Sequence, residues 1–346
     1  MKTSADKIAG TVPLSVLDLA PIVQGGSPAE SFRNSADLAR HAERLGYHRF
    51  WVAEHHGIPG VASAATAVVI AHIGAHTSTI RIGAGGIMLP NHAPLLIAEQ
   101  FGTLEALFPG RIDLGLGRAP GSDQITARAL RRSPAAADRF PDDVAELIAL
   151  LQPAEEGQVV RAVPGEGMRV PIWILGSSLF GAQLAAAMGL PFAFASHFAP
   201  THMMQAIDIY RANFRPSERC EHPRVMLGAT IIAADTDEEA RRLFSSVIQT
   251  FVALRRGHPI QVPPPVDDIE KTLSPLDLAQ LAPILSHAIV GGPARVRSEL
   301  ADLVARTEAD EVIVASQIYD HASRVHSYEI VAASFDATKP ASLSSC

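Results

Sequence analysis

Two histidines stand side by side at His55 and His56, directly after Glu54 and just ahead of a Gly57-Ile58-Pro59 turn. Three roles are open to them. Metal binding needs ligands that converge on one point, yet neighbours on an extended strand face opposite ways. His72 and His76 are four residues apart and better aligned, but they fall mid-helix without a third ligand, so a metal is the weakest reading. A structural pair holding Glu54 is the second. The third is a single imidazole that titrates near neutrality and works as acid or base above a bound ring.

Other residues of chemical interest cluster where apolar runs end. Gly176-Ser177-Ser178 closes one such run, and Gly115-Leu116-Gly117-Arg118 closes another. Glycines let backbone N–H groups come close to a ligand, serine hydroxyls donate, a following helix offers its positive end, and an arginine grips two oxygens. Either motif alone reads equally well as an N-cap or a surface ion pair; together they predict a phosphate cradle. A Rossmann reading of GLGRAPG fails, because Pro120 stands where the third glycine belongs and no acidic residue closes a following strand. The run Gly83-Ala84-Gly85-Gly86 is unusual inside a strand, where glycine marks a bend or a ligand pressed on the backbone. A flat ring could lie on Gly85 and Gly86.

The elements that must carry these residues alternate along the chain. VPLSVLDLA (12 to 20) reads as a buried strand, and the next segment as a helix over 27 to 46 with Ser27 as cap, Pro28 in the first turn, Glu30 completing a capping box and Gly46 at the end. Repetition of that unit predicts eight strands, beginning near residues 13, 48, 79, 111, 171, 192, 224 and 311, with a helix after each. Such alternation implies a parallel sheet, and eight units in one domain spanning residues 1–346 predict an α/β fold of the closed (β/α)8 TIM-barrel type. Two stretches break the rhythm. Residues 118–136, and the irregular 255–286 with its QVPPPVDD, read as insertions over the barrel rim.

Composition narrows the function further. A formal charge of −7 with scattered Lys and Arg gives no footprint for nucleic acid, and the short cluster Arg128, Arg131 and Arg132 reads as a solvated face. The start MKTSADKIAG lacks the apolar core of a signal peptide, and no run nears the ~20 apolar residues of a membrane span, which predicts a cytoplasmic protein. Cys220 and Cys346 form no framework, and Cys346 falls in a Ser/Ala/Pro tail, 335–346, expected to be flexible. Phe140, Phe180, His197 and Phe198 are candidates for an apolar pocket, although each type more often packs in a core or loop.

The stretches FWVAEHH, IRIGAGGIMLPNHAPLLIAEQFGTLEALFPGRIDLGLGRAPGSD, PIWILGSS, GLPFAFASHF and IVGGPARV are together similar to the bacterial-luciferase-like monooxygenases, flavin-dependent enzymes on a (β/α)8 barrel with rim insertions. The resemblance runs from Pro13 to Ala333. It implies reduced FMN in the barrel mouth, its ring against a cis Gly85-Gly86 peptide, and its phosphate held by Arg118 and Ser178, with Ser177 and Gly176 beside them. His55 matches the catalytic histidine, with Glu54 as a candidate to orient it; no metal is implied.

The activity implied is that of an oxidoreductase acting on paired donors with incorporation of molecular oxygen. Reduced FMN, a dissociable cosubstrate brought by a separate reductase, would meet O2 to give a C4a-peroxyflavin that oxygenates a small organic substrate. A homodimer through the helix over 63–77 and the helix after the third strand is also implied. F420-dependent hydride transfer on the same fold is the alternative, and a catalytically silent flavin binder is another. Two departures from the pattern matter: Gly181 stands where many relatives carry a hydroxyl, and Gly117 where luciferase has its reactive cysteine, so neither that phosphate contact nor thiol tuning is implied.

Overall fold

The computed structural model describes residues 12–119 and 123–334. Among them the apolar runs form strands whose burial is nearly complete on both faces, as a parallel sheet walled by helices requires. The strands are β1 (Leu14–Asp18), β2 (Arg49–Val52), β3 (Arg81–Met88), β4 (Ile112–Gly117), β5 (Ile172–Gly176), β6 (Phe192–Phe194), β7 (Val225–Ala233), β8 (Ile289–Gly291) and β9 (Glu311–Ala315). All ladders among them are parallel, in the order β6-β5-β4-β3-β2-β1-β9-β7, and a β6–β7 pairing closes the ring. The result is an eight-stranded barrel with flanking helices. β8 is a ninth strand outside the ring, added to the far end of β7; its three residues in IVGGPARV are too few for a periodicity signal.

Helices fill the outer layer: α1 (Pro28–Arg44), α2 (Thr66–His76), α3 (Pro94–Leu107), α4 (Gln124–Ala129), α5 (Phe140–Leu150), α6 (Leu179–Met188), α7 (Met203–Asn213), α8 (Asp237–Arg255), α9 (Pro275–Leu285), α10 (Pro293–Thr307) and α11 (His321–Ser334). Their caps follow sequence rules. Ser27 accepts the Glu30 N–H at α1, and Thr236 the Glu239 N–H at α8.

The two rim segments differ from the expected loops. Residues 118–136 contain α4, capped by Asp123 and packed against the loop after β2; a Cβ on Gly57 (φ +72°) would sit 2.7 Å from Thr126 Oγ1. The stretch 255–286, expected to be irregular, contains α9. Its start is a reciprocal capping box, Ser274 N–H to Asp277 Oδ2 at 3.0 Å and Asp277 N–H to Ser274 Oγ at 3.2 Å. Upstream of α9, Val262 bridges Val23 after β1, and the Ile260 carbonyl abuts Gly60 after β2, so this segment crosses the C-terminal face of the barrel. The proposed tail, 335–346, lies outside the described residues, as does Pro120.

Strand alternation sorts side chains between layers. Val16, Phe50 and Val52 pack outward under the helices, whereas Leu17, Trp51, Trp173, Ala193, Met226 and Ile313 fill the barrel interior. At the N-terminal end of that interior lies a buried ionic lattice. Arg49 donates to Asp113 at 2.7 Å and to Glu311 at 2.7 and 3.1 Å, while Arg81 reaches Asp113 at 2.6 Å. Both carboxylates are fully buried. Burial alone would push them up; Arg49 and Arg81 beside Asp113, and Arg49 and Arg224 beside Glu311, outweigh it and hold both below the usual carboxylate range. The Arg49 guanidinium also lies 5.1 Å from the Trp173 ring.

Candidate active site

Above the Trp51–Trp173 pair, whose rings meet edge to face at 5.6 Å, the barrel opens at the C-terminal strand ends into a cavity of about 440 Å³. That volume falls within the ~300–1,000 Å³ typical of small-molecule sites. Trp51 and Leu17 form its floor. Gly85 and Gly86 form one wall, where the β3–β4 register shifts between Ala84 and Ile87 and the Gly85–Gly86 peptide is cis. Glycine is obligatory there on steric grounds: a Cβ on Gly85 would come within 2.8 Å of Leu17 Cδ1, and one on Gly86 within 2.6 Å of the Gly115 carbonyl oxygen. The wall is consequently flat and lined by backbone, fit for a planar ring.

At one end of the cavity Arg118, Ser177 and Ser178 come together. The Arg118 guanidinium is stacked 4.0 Å from the centre of the Phe180 ring, so its position is set by a side chain from the first turn of α6. Ser178 is the N-cap residue of α6, yet its hydroxyl makes no capping hydrogen bond, unlike Ser27 and Thr236. The first-turn N–H groups of α6 thus lack the side-chain acceptor that α1, α4 and α8 have. An arginine, two hydroxyls and these donors make an anion pocket. Gly181, in the same turn, lets α6 close on β5, with its Cα 3.5 Å from where a Cβ on Gly176 would stand.

His55 lines the cavity and Glu54 does not. The Glu54 carboxylate accepts from His56 Nε2 at 2.8 Å, His92 Nε2 at 2.9 Å, the Met88 N–H at 3.0 Å and Asn91 Nδ2 at 3.3 Å. Burial would raise this carboxyl, but the His92, His56 and Met88 hydrogen bonds prevail and keep it below its ordinary value. In place of the expected role of orienting His55, Glu54 has the geometry of a clasp between the loop after β2 and the end of β3, and His56 belongs to that clasp. Strand alternation is the cause, since Glu54 and His56 share the parity opposite to His55. Among the described residues no group of three or more His, Cys, Asp or Glu is placed to hold a metal ion.

Sequence reasoning missed several lining residues: Trp51, Met88, Phe194, Gly228 and Ile313. A signal existed for Trp51 and Ile313, which share the inward parity of their strands with Leu17, Leu175 and Ala193. The pocket candidates Phe140, Phe180, His197 and Phe198 do line the cavity.

With this geometry in view, comparison with known proteins is decisive. The sequence profile described as luciferase-like monooxygenase matches residues 13–311. The chain belongs to the luciferase-like monooxygenase family. A relative named luciferase-like monooxygenase from Escherichia coli (strain K12) is 54% identical over 92% of this chain and 96% of that one. The crystal structure of apo-MsnO8 superposes with a TM-score of 0.84 at 37% identity, over 95% of this chain and 100% of that one. The oxygenating constituent of 3,6-diketocamphane monooxygenase from Pseudomonas putida, a type II Baeyer-Villiger monooxygenase solved with FMN, has the same fold: TM-score 0.71, 18% identity, 94% and 98% coverage. As a luciferase-like monooxygenase, the protein is an oxidoreductase by family, and its cavity lies where a (β/α)8 barrel places its chemistry.

Proposed function

We propose that this luciferase-like protein is an FMN-dependent monooxygenase that uses reduced flavin from a separate reductase and O2 to oxygenate a small organic substrate. The observation that carries this reading is the joining, in one cavity, of a flat glycine wall, an anion pocket at one end and an imidazole at the β2 end. These residues fit the cofactor. Arg118, Ser177, Ser178 and the first turn of α6 would hold its phosphate, and Gly85 and Gly86 would lie against its ring. Bound reduced FMN supplies the electrons that activate oxygen.

The protein's own part is to bind, exclude water and manage a proton. One oxygen atom of O2 goes to the substrate and the other leaves as water, so protons must be delivered inside a cavity that Trp51, Leu17, Phe194 and Ile313 keep apolar. His55, at the β2 end of that cavity, is the group assigned to this transfer. His55→Ala is expected to leave the FMN dissociation constant within about threefold by fluorescence titration, since the residue takes no part in the anion pocket. Product formed per turnover is expected to fall about 10²–10⁴-fold, the usual worth of a general acid or base; undiminished oxygenation would remove His55 from the mechanism. F420 titrated in parallel separates the hydride-transfer alternative, which predicts tighter binding of F420 and no oxygen uptake.

A homodimer through α2 and α3 goes with this reading. α2 is apolar on nearly every side, and Val68 on α2 and Leu96 on α3 are exposed, at 70% and 46%, on adjacent helices. Light scattering at micromolar concentration is expected to give twice the 36.8 kDa chain mass, and a monomer mass would refute it. Among the described residues no helix is long and apolar enough to cross a membrane; we place the protein in the cytoplasm, where a reductase can supply reduced flavin.

A further inference from the structure

His197 carries an assignment of its own. It follows β6, which stands four places from β2 in the eight-stranded ring whichever way one counts, so His197 and His55 face the cavity from opposite sides. The Nδ1–Cε1 edge of its ring abuts β7 at Gly228. A Cβ on Gly228 would come within 2.4 Å of His197 Nδ1 and 3.1 Å of Cε1, so only glycine at that position admits the imidazole. β7 in turn stands opposite β3, so His197 and Gly228 form the wall facing Gly85 and Gly86 across the cavity.

The His197 Nδ1 atom is buried and has no hydrogen-bond partner. An unpaired buried N–H costs about 1–3 kcal/mol, and an unpaired lone pair is tolerated more readily. That asymmetry favours the tautomer with the proton on Nε2, the nitrogen left available to an occupant of the cavity. Burial, with a smaller contribution from the charge of His55, pushes the His197 imidazole down to about 4, so near neutral pH it is an uncharged donor. Around it the lining is apolar: Phe194, Phe198 and Ile313 are neighbours on the same side, and the guanidinium in the lining, Arg118, is committed to the anion pocket.

We propose that His197 is the substrate-selecting residue of this cavity: its Nε2–H anchors a neutral, compact, apolar molecule through a single hydrogen-bond acceptor of the carbonyl class, held between the glycine wall and β7. A carboxylate substrate would lack a cation here and an amine would lack an anion, because Glu54 is turned to His56 and His92. The assignment rests on the FMN-monooxygenase reading for what happens to the molecule once bound, but not for the binding itself.

The test uses cyclohexanone and its shape-matched analogue methylenecyclohexane, which lacks the acceptor, on the full-length protein without flavin. With ¹⁵N-labelled histidine, cyclohexanone is expected to shift the His197 Nε2 resonance, identified by its loss in His197→Leu, and methylenecyclohexane to leave it in place. The wild-type protein is expected to bind cyclohexanone about tenfold more tightly than the analogue, the worth of one neutral hydrogen bond in a site poor in water. His197→Leu is expected to abolish that preference and His197→Gln, whose amide reaches a similar point, to restore most of it. FMN affinity is expected to stay within threefold in both variants, which also certifies that they fold. A preference that survives in His197→Leu, an unmoved resonance, or failure of both probes to bind at millimolar concentration would overturn the assignment. Failure of FMN to bind while cyclohexanone still moves His197 would instead support it and defeat the flavin reading alone.

Discussion

Replacing Arg49 by alanine is expected to destabilise the fold by about 3–5 kcal/mol, because it strands two buried carboxylates rather than one. Asp113 and Glu311 are both inaccessible to solvent, and each takes its shortest ion-pair contacts from guanidinium groups at the barrel's N-terminal end. Arg81 can still serve Asp113, but among the described residues Glu311 would keep only the hydrogen bonds from Ser15 at 2.5 Å and Arg224 at 3.5 Å. At about 2.1 cal/mol/K of unfolding entropy per residue, the loss corresponds to a fall in Tm of roughly 4–7 °C. Thermal unfolding followed by circular dichroism checks it, and a shift below about 1 °C would contradict the account. The sign of the pH dependence is fixed by the same pairs. Both carboxyls are held below their ordinary values, so the stability they contribute is present above about pH 4.5 and is lost as pH falls through their lowered values.

Arg118→Ala is expected to weaken FMN binding about 10- to 100-fold, the equivalent of about 1.5–3 kcal/mol for charge-assisted hydrogen bonds to a phosphate. Among the described residues the guanidinium is not tied to a carboxylate. It is stacked on Phe180 at 4.0 Å, which fixes its plane and leaves its donors directed by the ligand. Phe180→Leu, which removes the stack and keeps the charge, is therefore expected to fall between wild type and Arg118→Ala. Fluorescence quenching of FMN on titration reads both, and an unchanged dissociation constant for Arg118→Ala would refute the anion pocket.

Much of this architecture is legible in the amino-acid sequence because a (β/α)8 barrel repeats one unit. Each barrel strand is a short apolar run, and caps such as Ser27 and Thr236 mark where helices begin, so all eight barrel strands are found at their positions. The site is legible as far as local chemistry reaches: the serines before α6, the arginine after β4 and the glycines of β3 each announce themselves. What escapes is whatever depends on partners distant in the chain. Glu54 reads as an assistant to its neighbour His55, yet besides His56 its hydrogen bonds go to His92, Asn91 and the Met88 N–H, more than thirty residues on. The ionic lattice joins residues 49, 81, 113 and 311, and nothing within any one strand foretells their convergence. α9 is a different kind of miss, since its Ser274–Asp277 box is local and was masked by the prolines before it.

Trp51 belongs to two parts of the molecule at once. Its indole N–H donates to Asp113 at 3.1 Å, within the ionic lattice, while its ring is part of the floor on which a ligand rests. The tilt of that floor is thus fixed by charges on the side of the barrel away from solvent access. For a lineage acquiring new substrates, this floor is the wall least free to change, since reshaping it would unpair part of the lattice. Diversification, and any attempt to redirect the enzyme in the laboratory, has to proceed through the opposite walls and the rim, around His197, Phe198 and the crossing segment before α9, where a substitution alters the volume on offer without touching what keeps the barrel closed.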